Sequence, residues 1–96
     1  MTNRELLELA AKAAGVGGQW EFGYRDANGR AWNPLEDDGD ALRLAVKLGI
    51  TIMFDRSSVW CEQYGVLERY NGDPCAATRR AIVRVAAAIG AHKCHT

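Results

Sequence analysis

Four carboxylates lie within residues 36–40 and are the most closely spaced ionisable side chains with a common chemistry: Glu36, Asp37, Asp38 and Asp40. Clustered carboxylates are the hard oxygen ligands that divalent cations prefer. Their spacing is not that of an EF-hand loop, and an apolar-periodic segment begins directly after them at Ala41. Acidic residues before such a segment accept hydrogen bonds from the unpaired amides of a helix N-terminus. We therefore predict that they cap a helix, and we predict no metal site.

The thiols and imidazoles suggest two further kinds of chemistry. Zinc sites use paired ligands at C-x2-C or H-x3-H spacing. His92, Cys94 and His95 show neither pattern, even with Cys61 or Cys75 as a fourth ligand. Cys75 stands at the start of a predicted helix, where the helix dipole favours a thiolate. Its histidine partners for nucleophilic catalysis lie at the far end of the same helix. We predict no catalytic residue, no cofactor and no enzyme activity.

Arginines and tryptophans are the remaining candidates for a binding site. Arg79, Arg80 and Arg84 form a basic face on the last predicted helix. This face is either a solvated surface or, beside an exposed aromatic, a site for a nucleotide or a single nucleic-acid strand. Trp32 and Trp60 are either buried, with a partner for the indole N–H, or exposed as interface anchors. These five residues are the predicted ligand-binding or partner-binding set.

Composition restricts the class of protein. The 96 residues suffice for one domain, and an apolar content of 48% is typical of a folded chain. Twelve basic and twelve acidic residues cancel, which argues against a nucleic-acid partner. No apolar run is long enough to span a membrane, and Glu5 and Glu8 are unlike a signal peptide. We therefore predict a cytoplasmic protein without a membrane partner, in which three cysteines stay free.

Capping signals predict three helices. Thr2 and Glu5 stand at capping-box spacing before a helix over Asn3–Ala14. The second helix starts at Asp38 or Gly39 and runs to Leu48. The third has Asp73 as cap, Pro74 as first residue and Gly90 as its end, so that residues 91–96 form a flexible tail of the single domain 1–96.

Alternating apolar residues predict the strands. Trp20, Phe22 and Tyr24 alternate with polar residues, and Pro34 ends the returning strand of this hairpin. The charges of the last strand discourage further pairing, so that it lies at an edge. The predicted strands cover residues 19–25, 30–32, 50–55, 59–63 and 66–70. The predicted fold is α+β, with an antiparallel sheet of four to five strands, three helices and the order α-β-β-α-β-β-(β)-α.

These segments resemble small bacteriophage or prophage proteins of the phage α-β-α sandwich domain family. The resemblance comes from the hairpin with Trp20 and Trp32, the run WNPL at 32–35, the run DDGDALRLA at 37–45 and the run AATRRAIVR at 76–84. It implies a phage or prophage gene product of uncharacterised function that acts inside a bacterial cell. It implies no catalytic residue, since the family has no established site.

The functional expectation is therefore a binding protein. We expect an accessory protein that associates with a host or phage macromolecule, and a homodimer is a further possibility because a small sheet with an exposed face often completes its core with a second copy. The alternative is a small-ligand or nucleotide binder that uses an arginine and aromatic surface.

Overall fold

The computed structural model describes residues 1–93, which form three α-helices, one 3₁₀ turn (Gln63–Gly65) and six strands. The helices are α1 (Asn3–Ala14), α2 (Asp38–Leu48) and α3 (Pro74–Lys93). The strands are β1 (Gly17–Gln19), β2 (Gly23–Arg25), β3 (Ala31–Trp32), β4 (Ile52–Phe54), β5 (Ser58–Cys61) and β6 (Val66–Arg69). The α+β class is confirmed. None of the described helices combines the length and the apolar character that a membrane crossing requires.

The predicted capping residues begin the three helices. Thr2 and Glu5 form the reciprocal capping box. The Asp37 carboxylate accepts from the Asp40 amide at 2.8 Å, and the Asp73 carboxylate accepts from the Ala76 amide at 3.0 Å. These bonds satisfy N–H groups that have no partner within the helix, so the starts of all three helices follow from local chemistry.

The predicted end of the last helix at Gly90 is wrong, because α3 continues to Lys93. Gly90 is buried where α3 crosses α1, and a Cβ atom built on it would lie 2.0 Å from the Leu9 carbonyl oxygen. The glycine therefore permits a close approach of two helix backbones and does not mark a stop signal. Ala91 to Lys93 of the predicted tail are helical, and residues 94–96 lie outside the described part of the chain.

The predicted single strand over residues 19–25 is a hairpin. Gly18 pairs with Tyr24 and Gln19 with Gly23, so the chain reverses between them. Gly18 has φ of +120°, and a Cβ atom there would lie 2.5 Å from the Gly23 carbonyl oxygen, which explains why glycine is needed for this close pairing. The reversal leaves Phe22 83% exposed, and of the three alternating aromatics only Tyr24 is buried.

The six strands form two antiparallel sheets, in the orders β1-β2-β3 and β4-β5-β6, and not the predicted single sheet of four to five strands. β3 cannot extend to pair with β4, because Pro34 has no amide proton and the Asn33 amide donates to Asp40 at 2.9 Å. The observed order is therefore α-β-β-β-α-β-β-β-α.

Two hydrophobic clusters hold the layers together. The first joins α1, α2 and the first sheet through α3, with Ile82 and Val83 among its buried members. The second lies between α3 and one face of the second sheet, where Val59, Cys61 and Val85 are completely buried. Because α3 contributes to both clusters, it fixes the second sheet relative to the rest of the domain.

Candidate protein-binding surface

The outer face of the second sheet carries an apolar stripe. Residues that are paired across antiparallel strands point to the same face, and the register joins Met53 to Trp60 and Trp60 to Leu67. This row faces away from α3, since the adjacent Val59 belongs to the buried cluster on the other face. Met53 is 44% and Leu67 51% exposed, and Trp60 between them is half-buried. The three side chains form a continuous apolar surface across all three strands.

Polar residues border this stripe on both sides. The row on one side contains Arg69 opposite Ser58, and Ser58 donates to the Asp55 carboxylate at 3.0 Å. On the other side the Glu62 amide donates to the Thr51 carbonyl, which places an acidic and a hydroxyl side chain in the next row. An apolar centre with a polar rim of both charge signs is the usual composition of a protein-binding patch.

The β6 edge of this sheet is closed by side chains. The Leu67 carbonyl, which points away from β5, accepts from the Arg84 guanidinium at 3.1 Å. The same guanidinium pairs with Glu68 of the strand at 2.6 Å, and Arg80 lies 3.7 Å from that carboxylate. The predicted edge position of this charged strand is confirmed, although β6 ends at Arg69 and not at the predicted residue 70.

The β4 edge is open. The Asp55 amide donates to the Ser58 carbonyl at 3.0 Å. Hydrogen-bonded and non-hydrogen-bonded pairs alternate along antiparallel strands, so the backbone of Met53 also points toward β5. The amides and carbonyls of Ile52 and Phe54 therefore point outward, away from β5. Within residues 1–93, these outward groups of Ile52 and Phe54 have no backbone partner. β4 also contains no charged residue and no proline.

An apolar groove lies beside this open edge, between α2, β4 and the first turns of α3. It has a volume of about 370 Å³ and is lined mainly by carbon atoms. Leu42 on α2 is 62% exposed and Phe54 on β4 is 63% exposed, whereas Ile82 at its base is buried. Cys75 lies at its mouth. The edge and the groove together offer backbone hydrogen bonds and apolar contact at one place.

The three arginines of the predicted binding set are all bound to other groups of the same chain. Arg79 donates to the Leu35 carbonyl at 2.9 Å and pairs with Asp38 at 2.6 Å, so that it ties α3 to the segment before α2. Arg80 donates to the Asn3 side chain at 3.0 Å. With Arg84 bound to the β6 edge, the basic face of α3 consists of structural ties.

The two predicted tryptophans lie in different places. Trp32 is only 8% exposed and meets Tyr24 edge to face, with the ring centroids 6.0 Å apart, in the first hydrophobic cluster. Trp60 lies on the outer face of the second sheet, and Arg84 lies on the helix that covers the inner face. The structure therefore does not bring the five predicted residues together, and of the five only Trp60 lies in the apolar stripe.

Three of the four carboxylates in the acidic cluster bind other groups of the same chain. Asp37 caps α2, Asp38 pairs with Arg79, and Asp40 both accepts from the Asn33 amide and pairs with Arg43 at 2.8 Å. Across residues 1–93, no group of three or more His, Cys, Asp or Glu side chains has the arrangement to hold a metal ion. Cys94 and His95 lie outside the described residues.

The two described thiols are free but differ in environment. Cys61 is completely buried, and burial raises the pKa of its thiol. Cys75 is exposed at the start of α3. His92 is seventeen positions further along the same helix, a distance of about 25 Å at 1.5 Å per residue, which is too far for it to act as the base for Cys75.

A second cavity, of about 450 Å³, lies between α1 and the first sheet. Trp20 and Arg4 line it, and Arg4 is engaged by Glu8 and Glu21 at 2.9 Å each. The Tyr24 hydroxyl at this place is buried and has no hydrogen-bond partner in the described structure. Burial raises the pKa of Tyr24, so that the hydroxyl stays protonated and available as a donor.

The sequence analysis did not name Met53 and Leu67 among the candidate binding residues. The available signal was the alternation within the strands, because Met53 and Leu67 both fall out of phase with residues of the buried cluster. Using that signal requires the register and knowledge of which face α3 covers, neither of which is local.

Comparison with protein-family models, with curated proteins and with solved structures finds no match to this chain. The surfaces of the molecule therefore carry the inference about function. The resemblance to small bacteriophage proteins stays a prediction.

Proposed function

We propose that this chain is a binding protein and not an enzyme, and that another protein docks on the outer face of its second sheet. The observation that carries the proposal is the stripe formed by Met53, Trp60 and Leu67, exposed on a sheet face and bordered by polar rows. Tryptophan is enriched among the residues that dominate binding energy, and flanking apolar side chains exclude water from it.

The charge distribution supports a protein rather than a nucleic acid as the partner. The chain has a formal net charge of zero, and the rim of the stripe carries Arg69 on one side and Glu62 on the other. Nucleic-acid binding draws its affinity from several free cations on one surface. Here Arg79 and Arg84 are each bound to a carboxylate and to a backbone carbonyl.

The resemblance to phage proteins supplies the cellular part of the proposal. On that resemblance the chain is a phage or prophage accessory protein in the cytoplasm of a bacterial host. The partner is then a host or phage protein. This part does not follow from the stripe and is tested separately, by the identity of the protein that is captured.

The test is affinity capture from a bacterial lysate with matched surface variants, followed by binding measurements on the captured protein. Trp60→Ala removes the centre of the stripe, and a central tryptophan costs about 2 kcal/mol or more when truncated, which is about a thirty-fold loss of affinity. Leu67→Gln serves as a second variant at the same surface. Phe22→Ala is the control, since Phe22 is an exposed aromatic in the turn between β1 and β2, away from the second sheet.

The proposal expects a stoichiometric partner that Trp60→Ala and Leu67→Gln both lose and Phe22→Ala keeps. Circular dichroism and thermal unfolding establish that each variant is folded. Equal binding of all three variants, or no stoichiometric partner, would refute the outer face as the binding surface.

The alternative function is a small-ligand or nucleotide binder that uses arginine and aromatic side chains. The observation that favours it is the 450 Å³ cavity, where Trp20 and Arg4 lie near the unpartnered Tyr24 hydroxyl. A ligand at a hundred times its Kd stabilises a protein by about 2.7 kcal/mol. A nucleotide panel should then raise the Tm of the wild type, and Tyr24→Phe should reduce the shift. No shift with any nucleotide would dismiss this alternative.

A further inference from the structure

We propose that two copies of this chain pair through their β4 edges, antiparallel about a two-fold axis at Met53, to form one continuous sheet. This inference does not rest on the proposed function, since it starts from the backbone groups at the edge of the second sheet, although Met53 belongs both to that edge strand and to the apolar stripe. It starts from the contrast between the two edges.

The chain closes one edge of the second sheet and leaves the other open. At β6, Arg84 occupies an outward carbonyl and charged side chains line the strand. At β4, the outward amides and carbonyls of Ile52 and Phe54 have no backbone partner within residues 1–93, and the strand has no charge. Proteins protect free edges with charges, prolines or covering elements, because a bare edge pairs with another strand. We infer that β4 is bare because a strand covers it.

The open edge is complementary to itself in one register. Antiparallel pairing centred on Met53 places Ile52 opposite the partner's Phe54, and the two residues of each such pair exchange both of their outward hydrogen bonds. A register centred on Ile52 would need the Ile50 amide, which already donates to the Ala45 carbonyl at 2.9 Å. A register centred on Phe54 would place Ile52 opposite the partner's Arg56, beyond the end of the strand. The Met53 register uses every outward group of the strand.

The groove provides a place for the phenyl rings. Phe54 lies on the inner face of the sheet, the face on which its cross-strand neighbour Val59 is completely buried, yet Phe54 itself is 63% exposed. In the Met53 register the partner's Phe54 lies directly across from Ile52, which lines the 370 Å³ groove together with Leu42. Each ring thus enters the groove of the other subunit, and Leu42 and Phe54 are covered at once.

The ends of the paired segment are electrostatically compatible. Thr51 falls opposite the partner's Asp55, so no like charges face each other along the strand. On the outer face, Met53 meets the partner's Met53 at the axis, and the apolar stripe continues from one Leu67 to the other across both subunits. The dimer also doubles the proposed docking surface.

A directed disulfide tests the register. Met53 and the partner's Met53 form a non-hydrogen-bonded pair, with a Cα separation of about 4.5 Å that suits a disulfide. Met53→Cys, in a Cys75→Ser, Cys94→Ser background, should form a covalent dimer within minutes of diamide addition. Thr51→Cys is the matched control on the same strand and face, because the two copies of residue 51 would be about 13 Å apart.

The oligomeric state tests the interface without a crosslink. The wild type should sediment at twice the 10.5 kDa of one chain, and the Ile52 and Phe54 amides should exchange slowly with deuterium. Met53→Lys places like charges at the axis and should weaken the dimer by about tenfold or more. Phe22→Lys, an exposed apolar-to-lysine change in the turn between β1 and β2, should not weaken it. A monomer at millimolar concentration, a dimer that Met53→Lys leaves intact, or equal crosslinking of Thr51→Cys and Met53→Cys would overturn the proposal.

Discussion

The crossing of α1 and α3 at Gly90 allows a prediction that separates packing from helix propensity. Gly90 lies inside α3, where replacement of glycine by alanine normally stabilises a helix by about 1 kcal/mol. An added Cβ atom, however, would lie 2.0 Å from the Leu9 carbonyl oxygen and 2.8 Å from its carbonyl carbon. These are backbone atoms of α1, so relief requires the two helices to separate. We therefore expect Gly90→Ala to destabilise the protein.

The size of the effect follows from the two opposing terms. Overpacking that forces backbone shifts costs about 1–3 kcal/mol, and an approach of 2.0 Å to a backbone oxygen places this site in the upper part of that range, at about 2–3 kcal/mol. After the propensity gain, a net loss of about 1–2 kcal/mol remains, which corresponds to a fall in Tm of about 4–16 °C for a domain of this size. Urea unfolding followed by circular dichroism measures the loss, and the slope of the transition establishes that the denatured state is unchanged.

Gly39→Ala is the matched control. Gly39 also lies in a helix, α2, but the atoms nearest to its added Cβ are the Arg43 guanidinium nitrogens and the capping carboxylate of Asp37, all at 3.2 Å. These are side-chain atoms and not backbone, so a shift of a few tenths of an ångström relieves the contact. This variant should be unchanged or more stable by up to about 1 kcal/mol. Stabilisation by both substitutions would show that α1 and α3 do not approach each other as closely as described here, and would refute the reasoning.

Two further predictions concern single side chains. Hydrogen bonds donated by the Ser57 amide and by the Ser58 hydroxyl and amide lower the pKa of the Asp55 carboxyl in the folded protein. The carboxylate therefore contributes fully to the free energy of unfolding above its unfolded pKa of about 3.9, and this contribution is lost as pH falls through the lower folded pKa. Asp55→Asn should therefore be less stable than the wild type at pH 7, with a difference that shrinks below about pH 4 in urea unfolding series; a difference independent of pH would contradict it. In a Cys94→Ser background, Ellman's reagent should modify exposed Cys75 at once and buried Cys61 only upon unfolding, and rapid modification of both thiols would contradict the buried position of Cys61.

The helices could be predicted from the sequence because their starts depend on neighbouring residues. Thr2 with Glu5, Asp37 and Asp73 each accept from an amide three residues away. The end of α3 could not be predicted in the same way. A glycine after an apolar stripe is equally consistent with a helix end and with a close helix crossing, and only the position of α1 decides between them.

The strands were harder to predict because alternation alone does not show where a chain reverses. Trp20, Phe22 and Tyr24 alternate as in a half-buried strand, but the chain turns back between Gln19 and Gly23. A glycine inside an alternating run is a known sign of a bulge or turn, and Gly23, with φ of +81°, was that sign. The division into two sheets depended on Pro34 and on the use of the Asn33 amide by Asp40, a contact between residues seven apart.

The candidate surface shows why its prediction required the fold. The residue types of β4 and β6 already differ in the sequence, since β6 carries Glu68 and Arg69 whereas β4 carries no charge. That difference can be interpreted only once both strands are known to be edges of one sheet. A central strand without charged residues is ordinary, whereas an edge strand without them can pair with a strand of another molecule. In the order β4-β5-β6, the charged strand and the uncharged strand form the two opposite edges of the sheet. It also explains why Arg84 is bound to one edge while an exposed phenylalanine and an apolar groove accompany the other.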